Sequence, residues 1–269
     1  MSAISARGLT LRDGLRGVEF QLPLGSCTAV LGPNGAGKST LMGLLAGSLV
    51  PDQGSVHCLG PVSYLPEGLP LDNLLPVKDV LDLVRRLPGW EPRVADPLLT
   101  AFDLPVGKRI EALSQGQRVR LGVVLALGRR ARTYLLDDPF LGLDPMAKVL
   151  VERAIADRAA DATVVFACQH AAAAERLCDH LLFLDKGRLM WCAPVDAWRD
   201  RFRRVRISGN VDAVHELGEL ALHVERRGTV LEALLDDPAG VAEARLRVAG
   251  AMVEPLPLPL DELLMAVAA

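Results

Sequence analysis

One nine-residue stretch constrains this chain more than any other: Gly32-Pro33-Asn34-Gly35-Ala36-Gly37-Lys38-Ser39-Thr40. It fits the P-loop pattern G-x-x-x-x-G-K-[ST]. A short apolar strand, Cys27-Thr28-Ala29-Val30-Leu31, precedes it, and a helix-forming run, Leu41 to Ala46, follows. The fold must therefore place a tight glycine-rich turn between a strand and a helix. Glycines let the backbone N–H groups point inward at phosphate oxygens, and the helix adds its positive N-terminal end. Asn34, Gly35, Ala36, Gly37 and Thr40 are expected to line that cradle. Lys38 is expected to reach the β- and γ-phosphates, and the Ser39 hydroxyl to ligate Mg²⁺. A glycine-rich turn with no ligand would need neither the lysine nor the hydroxyl. The stretch implies a bound nucleoside triphosphate.

Further motifs follow in order: Leu113-Ser114-Gln115-Gly116-Gln117-Arg118, then Tyr134-Leu135-Leu136-Asp137-Asp138-Pro139, then Gly142-Leu143-Asp144, and His170 after the apolar strand Thr163 to Ala167. In this order and spacing the chain resembles the ATP-binding-cassette (ABC) ATPases over roughly residues 1–200. Their sequence runs P-loop, glutamine loop, LSGGQ-type signature, Walker B with a catalytic acid, D-loop and switch histidine. The resemblance implies an α/β fold: a P-loop ATPase core with a parallel-rich sheet, an antiparallel β subdomain and a helical subdomain. A small C-terminal α+β appendage completes the expected architecture.

Bulk properties narrow the class. The 269 residues suffice for one large domain plus an appendage, and half of them are hydrophobic. A net charge of −3 argues against a general nucleic-acid binder, which needs clustered Lys and Arg. No apolar run reaches the roughly 18–20 residues that cross a bilayer. Residues Leu121 to Leu127 come nearest and end at Arg129-Arg130. No basic-then-apolar leader opens the sequence. Cys27, Cys58, Cys168, Cys178 and Cys192 lack C-x-x-C spacing and read as reduced thiols. The expectation is a cytoplasmic chain, peripheral on the inner membrane face through a separate membrane-spanning subunit.

Along the chain, residues 1–31 read as short antiparallel strands and 55–65 as two more. Residues 70–128 form the expected helical subdomain, leucine-rich and broken by prolines at 88, 92, 97 and 105. From residue 118 helices alternate with strands at 134–137, 163–168 and 181–185, the pattern of a parallel sheet with crossovers. The nucleotide-binding domain is expected over 1–203 and the appendage over 204–269, with strands near 205–208 and 220–225 and helices near 238–248 and from Asp261. Arg199, Arg201, Arg203, Arg204 and Arg206 read as a solvated junction beside Asp196 and Asp200, with contact to acidic lipid head groups as the functional alternative.

The resemblance assigns roles residue by residue. Asp137 is expected to hold the Mg²⁺ shell, since hard oxygen ligands suit that ion. Asp138 stands where the family usually has the catalytic Glu. The shorter side chain withdraws its carboxylate by about 1.5 Å, and a displacement near 1 Å can cost on the order of 100-fold in rate. Asp138 could otherwise be a plain helix-capping acid before Pro139. Glu67 stands where the family most often has a metal-touching Gln, keeping the oxygen and losing the NH₂ donor. Otherwise it is a solvated acid in a turn. Ser114, Gly116 and Gln117 match the signature that meets the γ-phosphate held by a second cassette, with Gln115 in place of a glycine and required to point away. Asp144 would couple the two sites and His170 would bond the γ-phosphate. Residues 9–17 contain no aromatic to stack on adenine.

ATP and Mg²⁺ are thus the implied ligands. A second cassette, identical or paralogous, and an integral membrane subunit are the implied partners, with no nucleic acid. The expected function is the ATP-hydrolysing subunit of an ABC transporter, an exporter on the strength of the Leu256-Pro257-Leu258-Pro259-Leu260 tail, the Tyr64-Leu65-Pro66-Glu67 sequence and the short helical subdomain. The alternative is a low-turnover, ATP-gated cassette paired with a more active one.

Overall fold

The structure is a computed structural model that describes residues 2–12, 14–169 and 171–268. The chain divides into two compact units, Met1–Cys192 and Ala193–Ala269.

In the first unit, strands β1 (Ser2–Leu11), β2 (Leu15–Pro23), β3 (Cys27–Leu31), β4 (Gln53–Cys58) and β5 (Val62–Leu65) are interrupted by helix α1 (Lys38–Leu45). Helices α2 (Val77–Val84), α3 (Pro92–Ala101) and α4 (Gln115–Leu127) follow. Strand β6 (Thr133–Asp137), α5 (Pro145–Ala159), β7 (Thr163–Ala167), α6 (Ala171–Leu177), β8 (His180–Asp185) and β9 (Arg188–Pro194) close the sequence of elements. A three-stranded antiparallel sheet has the order β2-β1-β4, and a six-stranded sheet the order β5-β6-β7-β3-β8-β9. Strands β5, β6, β7, β3 and β8 run parallel. Residues 27–31 thus depart from the antiparallel reading of 1–31. Every position of β3 is buried, as in a parallel strand covered on both faces. Such a strand shows a continuous apolar run instead of alternation. β6 and β7 are buried throughout for the same reason.

Parallel strands in register end at one edge of their sheet. Leu65 of β5 pairs with Leu136 of β6, Asp137 with Ala167 of β7, and Val30 of β3 with both Ala167 and Leu182. The segments that leave these strands at residues 32, 66, 138 and 168 therefore emerge side by side. That registry assembles the site.

The second unit contains α7 (Val195–Arg201), β10 (Phe202–Gly209), β11 (Ala221–Arg227), β12 (Val230–Asp236), α8 (Val241–Val248), β13 (Ala251–Leu256) and α9 (Leu260–Ala268). Its antiparallel sheet has the order β11-β12-β10-β13, over a core including Val205, Ile207, Ala233, Leu235 and Leu246. The units divide after residue 192, whereas the sequence reading placed the boundary after 203; α7 packs on β10 and belongs with it. The arginines of the 199–206 run are not merely solvated beside their neighbours. Arg201 pairs with Asp236 at 2.6 Å, Arg204 with Glu232 and Glu262 at 2.8 Å, and Arg206 with Glu232 and Glu254 at 3.3 Å. Among the described residues no helix is long and apolar enough to cross a membrane.

Candidate active site

The turn after β3 is built by glycines in backbone conformations that other residues rarely adopt. Gly32 has φ 149°, and a methyl group on it would meet the Leu184 carbonyl oxygen at 2.2 Å. Gly37 has φ 101°, and its methyl would strike the Leu15 side chain at 2.7 Å. Between them Gly35 has φ 77°, and the Ala36 N–H donates to the Pro33 carbonyl at 3.2 Å. Lys38 opens α1 and is only 7% exposed. Its ammonium folds back over the loop, donating to the carbonyls of Gly32 at 2.8 Å and Pro33 at 3.0 Å. The first bond of α1 runs from the Leu41 N–H to Gly37. The N–H groups of Lys38, Ser39 and Thr40 precede it and have no acceptor within the helix. A buried cation and three convergent donors make a cradle for an anion.

Facing the loop are the acids that β5 and β6 deliver. Asp137 ends β6 and is 3% exposed. Burial foremost pushes its pKa up to about 6; the Ser39 hydroxyl opposes this, and the charges of Glu67 and Asp138 add to it. The Ser39 hydroxyl donates to Glu67 Oε2 at 3.4 Å. Ser39, Glu67 and Asp137 thus form one group: a hydroxyl and carboxylates, the hard oxygen donors that suit Mg²⁺. The donor set fits the ion that the sequence implies.

Asp138 adopts φ 50°, a left-handed conformation that Asp tolerates better than most residues. Its N–H is held by the Ala167 carbonyl at 3.0 Å, and Gln169 Nε2 donates to its Oδ2 at 3.4 Å. No helix begins here. Residues 139–142 turn, and the cap of α5 is Asp144, whose Oδ1 accepts the Ala147 N–H at 2.9 Å. The helix-capping reading belongs to Asp144, not Asp138. Asp144 also pairs with Arg120 of α4. The Ala147 N–H, with Arg120 helping, holds the Asp144 carboxyl below its ordinary range.

Ser114 caps α4 in a reciprocal box. The Gln117 N–H donates to Ser114 Oγ at 3.2 Å, while the Ser114 N–H donates to Gln117 Oε1 at 3.0 Å. This S-x-x-Q signal is legible in sequence and gives Ser114 and Gln117 a structural function beyond the signature reading. Gly116 lies against the 142 turn: a methyl group on it would sit 2.5 Å from the Gly142 carbonyl oxygen. Gln115 is exposed, and its Oε1 lies 3.3 Å from where a Gly142 methyl would stand. Gln169 and Arg120 are site neighbours that motif reading missed. His170, and the stretch around Asp13 where an adenine-stacking aromatic would fall, include positions outside the described residues.

A phosphate cradle at the end of a central parallel strand, with an acid pair closing β6 one strand further along the same sheet, defines a P-loop nucleoside triphosphatase. The family model described as ABC transporter matches residues 15–141. A hemin import ATP-binding protein of Pseudomonas fluorescens is 38% identical over 66% of this chain and 79% of its own length. A Nod factor export ATP-binding protein of Bradyrhizobium diazoefficiens is 32% identical over 80% of this chain and 78% of its own length. Among curated relatives the matched stretches span from 56% to 93% of those proteins' lengths. A solved structure of an ATP-binding subunit of an ABC transporter superposes with a TM-score of 0.65 at 26% identity, over 74% of this chain and 92% of that one. The chain belongs to the ABC transporter family, as an ATP-binding subunit with ATPase chemistry.

Proposed function

We propose that this chain powers a separate membrane-spanning subunit of an exporter by closing against a second cassette around ATP. The carrying observation is that the chain holds one phosphate cradle, at residues 32–40, and one capped signature loop, at Ser114. Two complete sites then require two cassettes. In this reading Lys38 and the N–H groups of residues 34–40 bind the phosphates, Ser39, Asp137 and Glu67 hold Mg²⁺, and that ion supplies charge neutralisation. Asp138 orients the attacking water, with Gln169 fixing its carboxylate. Ser114, Gly116 and Gln117 face the partner's nucleotide, Asp144 relays between sites, and His170 reads the γ-phosphate.

A groove of about 280 Å³ supports docking of a membrane subunit. It lies between the Tyr64-Leu65-Pro66 segment and the helical subdomain, with Val84, Leu87 and Leu125 in its walls. Leu83 and Leu87 nearby are 61% and 43% exposed. The name of the rhizobial relative, matched over 80% of this chain, favours export. ATP turnover should rise faster than linearly with protein concentration and vanish in Lys38→Ala and Asp138→Asn. Turnover strictly proportional to concentration would remove the paired-cassette reading.

A further inference from the structure

Parallel strands have two edges, and the nucleotide cradle uses only the one where they end. At the opposite edge, where β5 and β6 start, a basin of about 930 Å³ opens between the helical subdomain and the sheet. Five arginines line it: Arg93, Arg129, Arg130, Arg132 and Arg158. Two acids accompany them, Glu91 and Asp161. A chain whose net charge is −3 has therefore gathered a local excess of positive charge.

The five are not equivalent. Arg158 is structural: 16% of its side chain is exposed, it pairs with Glu91 at 2.7 Å, its Nε donates to the Leu127 carbonyl at 2.9 Å, and it lies 5.2 Å from the Tyr134 ring centre. Arg93 shares Glu91 at 3.0 Å. Both ion pairs of Glu91 thus go to Arg158 and Arg93. Among the described residues, no ion pair or hydrogen bond engages the guanidinium groups of Arg129, Arg130 and Arg132, and all three are exposed.

Their backbones, by contrast, are pinned. The Arg130 N–H donates to Gly89 at 2.7 Å, the Arg132 N–H to Pro61 at 2.8 Å, and the Tyr134 hydroxyl to the Arg129 carbonyl at 2.8 Å. Three permanently charged forks thus rise from fixed points around a concave floor. Guanidinium forks match phosphate oxygens two at a time, and their charge cannot be lost by titration. A hydrophobic ligand has little to gain from such a rim.

We infer that this basin is a second anion site, taking a ligand with clustered phosphate groups on Arg129, Arg130 and Arg132. It is separate from the ATP cradle by the length of β6, about 13 Å at 3.3 Å per residue. Clustered phosphates come either in one soluble molecule or as an array of lipid head groups, and the chemistry on the protein side is the same.

The test uses the full chain carrying Lys38→Ala, so that the cradle does not contribute. Tripolyphosphate binding is followed by calorimetry, and co-sedimentation is measured with phosphatidylglycerol-containing and phosphatidylcholine-only vesicles. Arg129→Ser/Arg130→Ser/Arg132→Ser should weaken binding of at least one anionic probe tenfold or more, with no change in melting temperature. The corresponding triple lysine variant should retain part of the affinity, since it keeps charge and loses the forks. Tripolyphosphate binding that depends on the arginines assigns a soluble ligand. Vesicle binding alone, dependent on phosphatidylglycerol, assigns the head groups. If neither probe binds, or if the serine variant binds both as tightly as its parent, the inference is overturned. Single Arg130→Ser, expected to weaken binding about threefold, serves if the triple variant does not fold.

Discussion

Gly116 and Gly142 touch so closely that a single methyl group on the first would overlap the carbonyl oxygen of the second, at 2.5 Å. The signature loop and the turn leading to Asp144 therefore pack backbone against backbone. Gly116→Ala should destabilise the fold by about 1–3 kcal/mol, the ordinary cost of overpacking, and lower ATP turnover disproportionately. Gly107→Ala is the control, because that position has open space around it. Thermal melts and turnover of the two variants give the comparison. Equal effects would sever the proposed link between the two loops.

Ser114 permits structure and chemistry to be separated. Ser114→Ala removes the acceptor for the Gln117 N–H and should cost ~1 kcal/mol. Ser114→Asp keeps a good cap and places negative charge at a favourable helix end, so stability should be retained. Turnover should nevertheless collapse in the Asp variant, because a carboxylate would face the partner's phosphates. An active Ser114→Asp protein would reduce Ser114 to a helix cap.

Asp138 offers a gain-of-function test. Asp138→Glu extends the carboxylate by about 1.5 Å, one carbon–carbon bond. Steady-state turnover should rise several-fold, against a small backbone cost because the residue sits at φ 50°. Asp138→Asn should bind ATP normally and turn it over at least 100-fold more slowly. No gain in the Glu variant would mean that the active geometry is already matched to the shorter acid.

The Arg158–Glu91 pair gives a pH signature. Burial alone would raise the Glu91 pKa, but Arg158 and then Arg93 overcome it, so the carboxyl titrates below its ordinary 4.5. A depressed folded-state value contributes stability above the unfolded pKa that is lost as pH falls through the folded one. Melting temperature should therefore drop more steeply below pH 4.5 in the parent protein than in Glu91→Gln. At neutral pH the Gln variant should be weaker by roughly 1–2 kcal/mol, less than for a fully buried pair because solvent reaches its edge.

What could be read from the sequence was whatever local chemistry enforces. The 32–40 turn declared itself because its glycines and lysine answer to a single geometry. Strands β3, β6 and β7 announced themselves as unbroken apolar runs. β12 did not: Glu232 interrupts its apolar run, and it is buried only because Arg204 and Arg206 reach it from β10. β13 carries Pro255, which argues against a strand until its place at a sheet edge is known. Arg199 does pair with its neighbour Asp196, but Arg204 and Arg206 were misjudged for the same reason, since their partners lie as far away as Glu254 and Glu262. The close approach of Gly116 to Gly142 likewise depends on tertiary packing that no motif spacing encodes.

The reciprocal cap at Ser114 uses its hydroxyl as an acceptor. One lone pair is committed to the Gln117 N–H, and the hydroxyl hydrogen remains to be offered elsewhere. An incoming oxyanion can accept that hydrogen while the cap stays intact. An incoming amine or amide N–H finds an acceptor partly spent. The bond that starts the helix thus leaves the loop better suited to an acceptor than to a second donor.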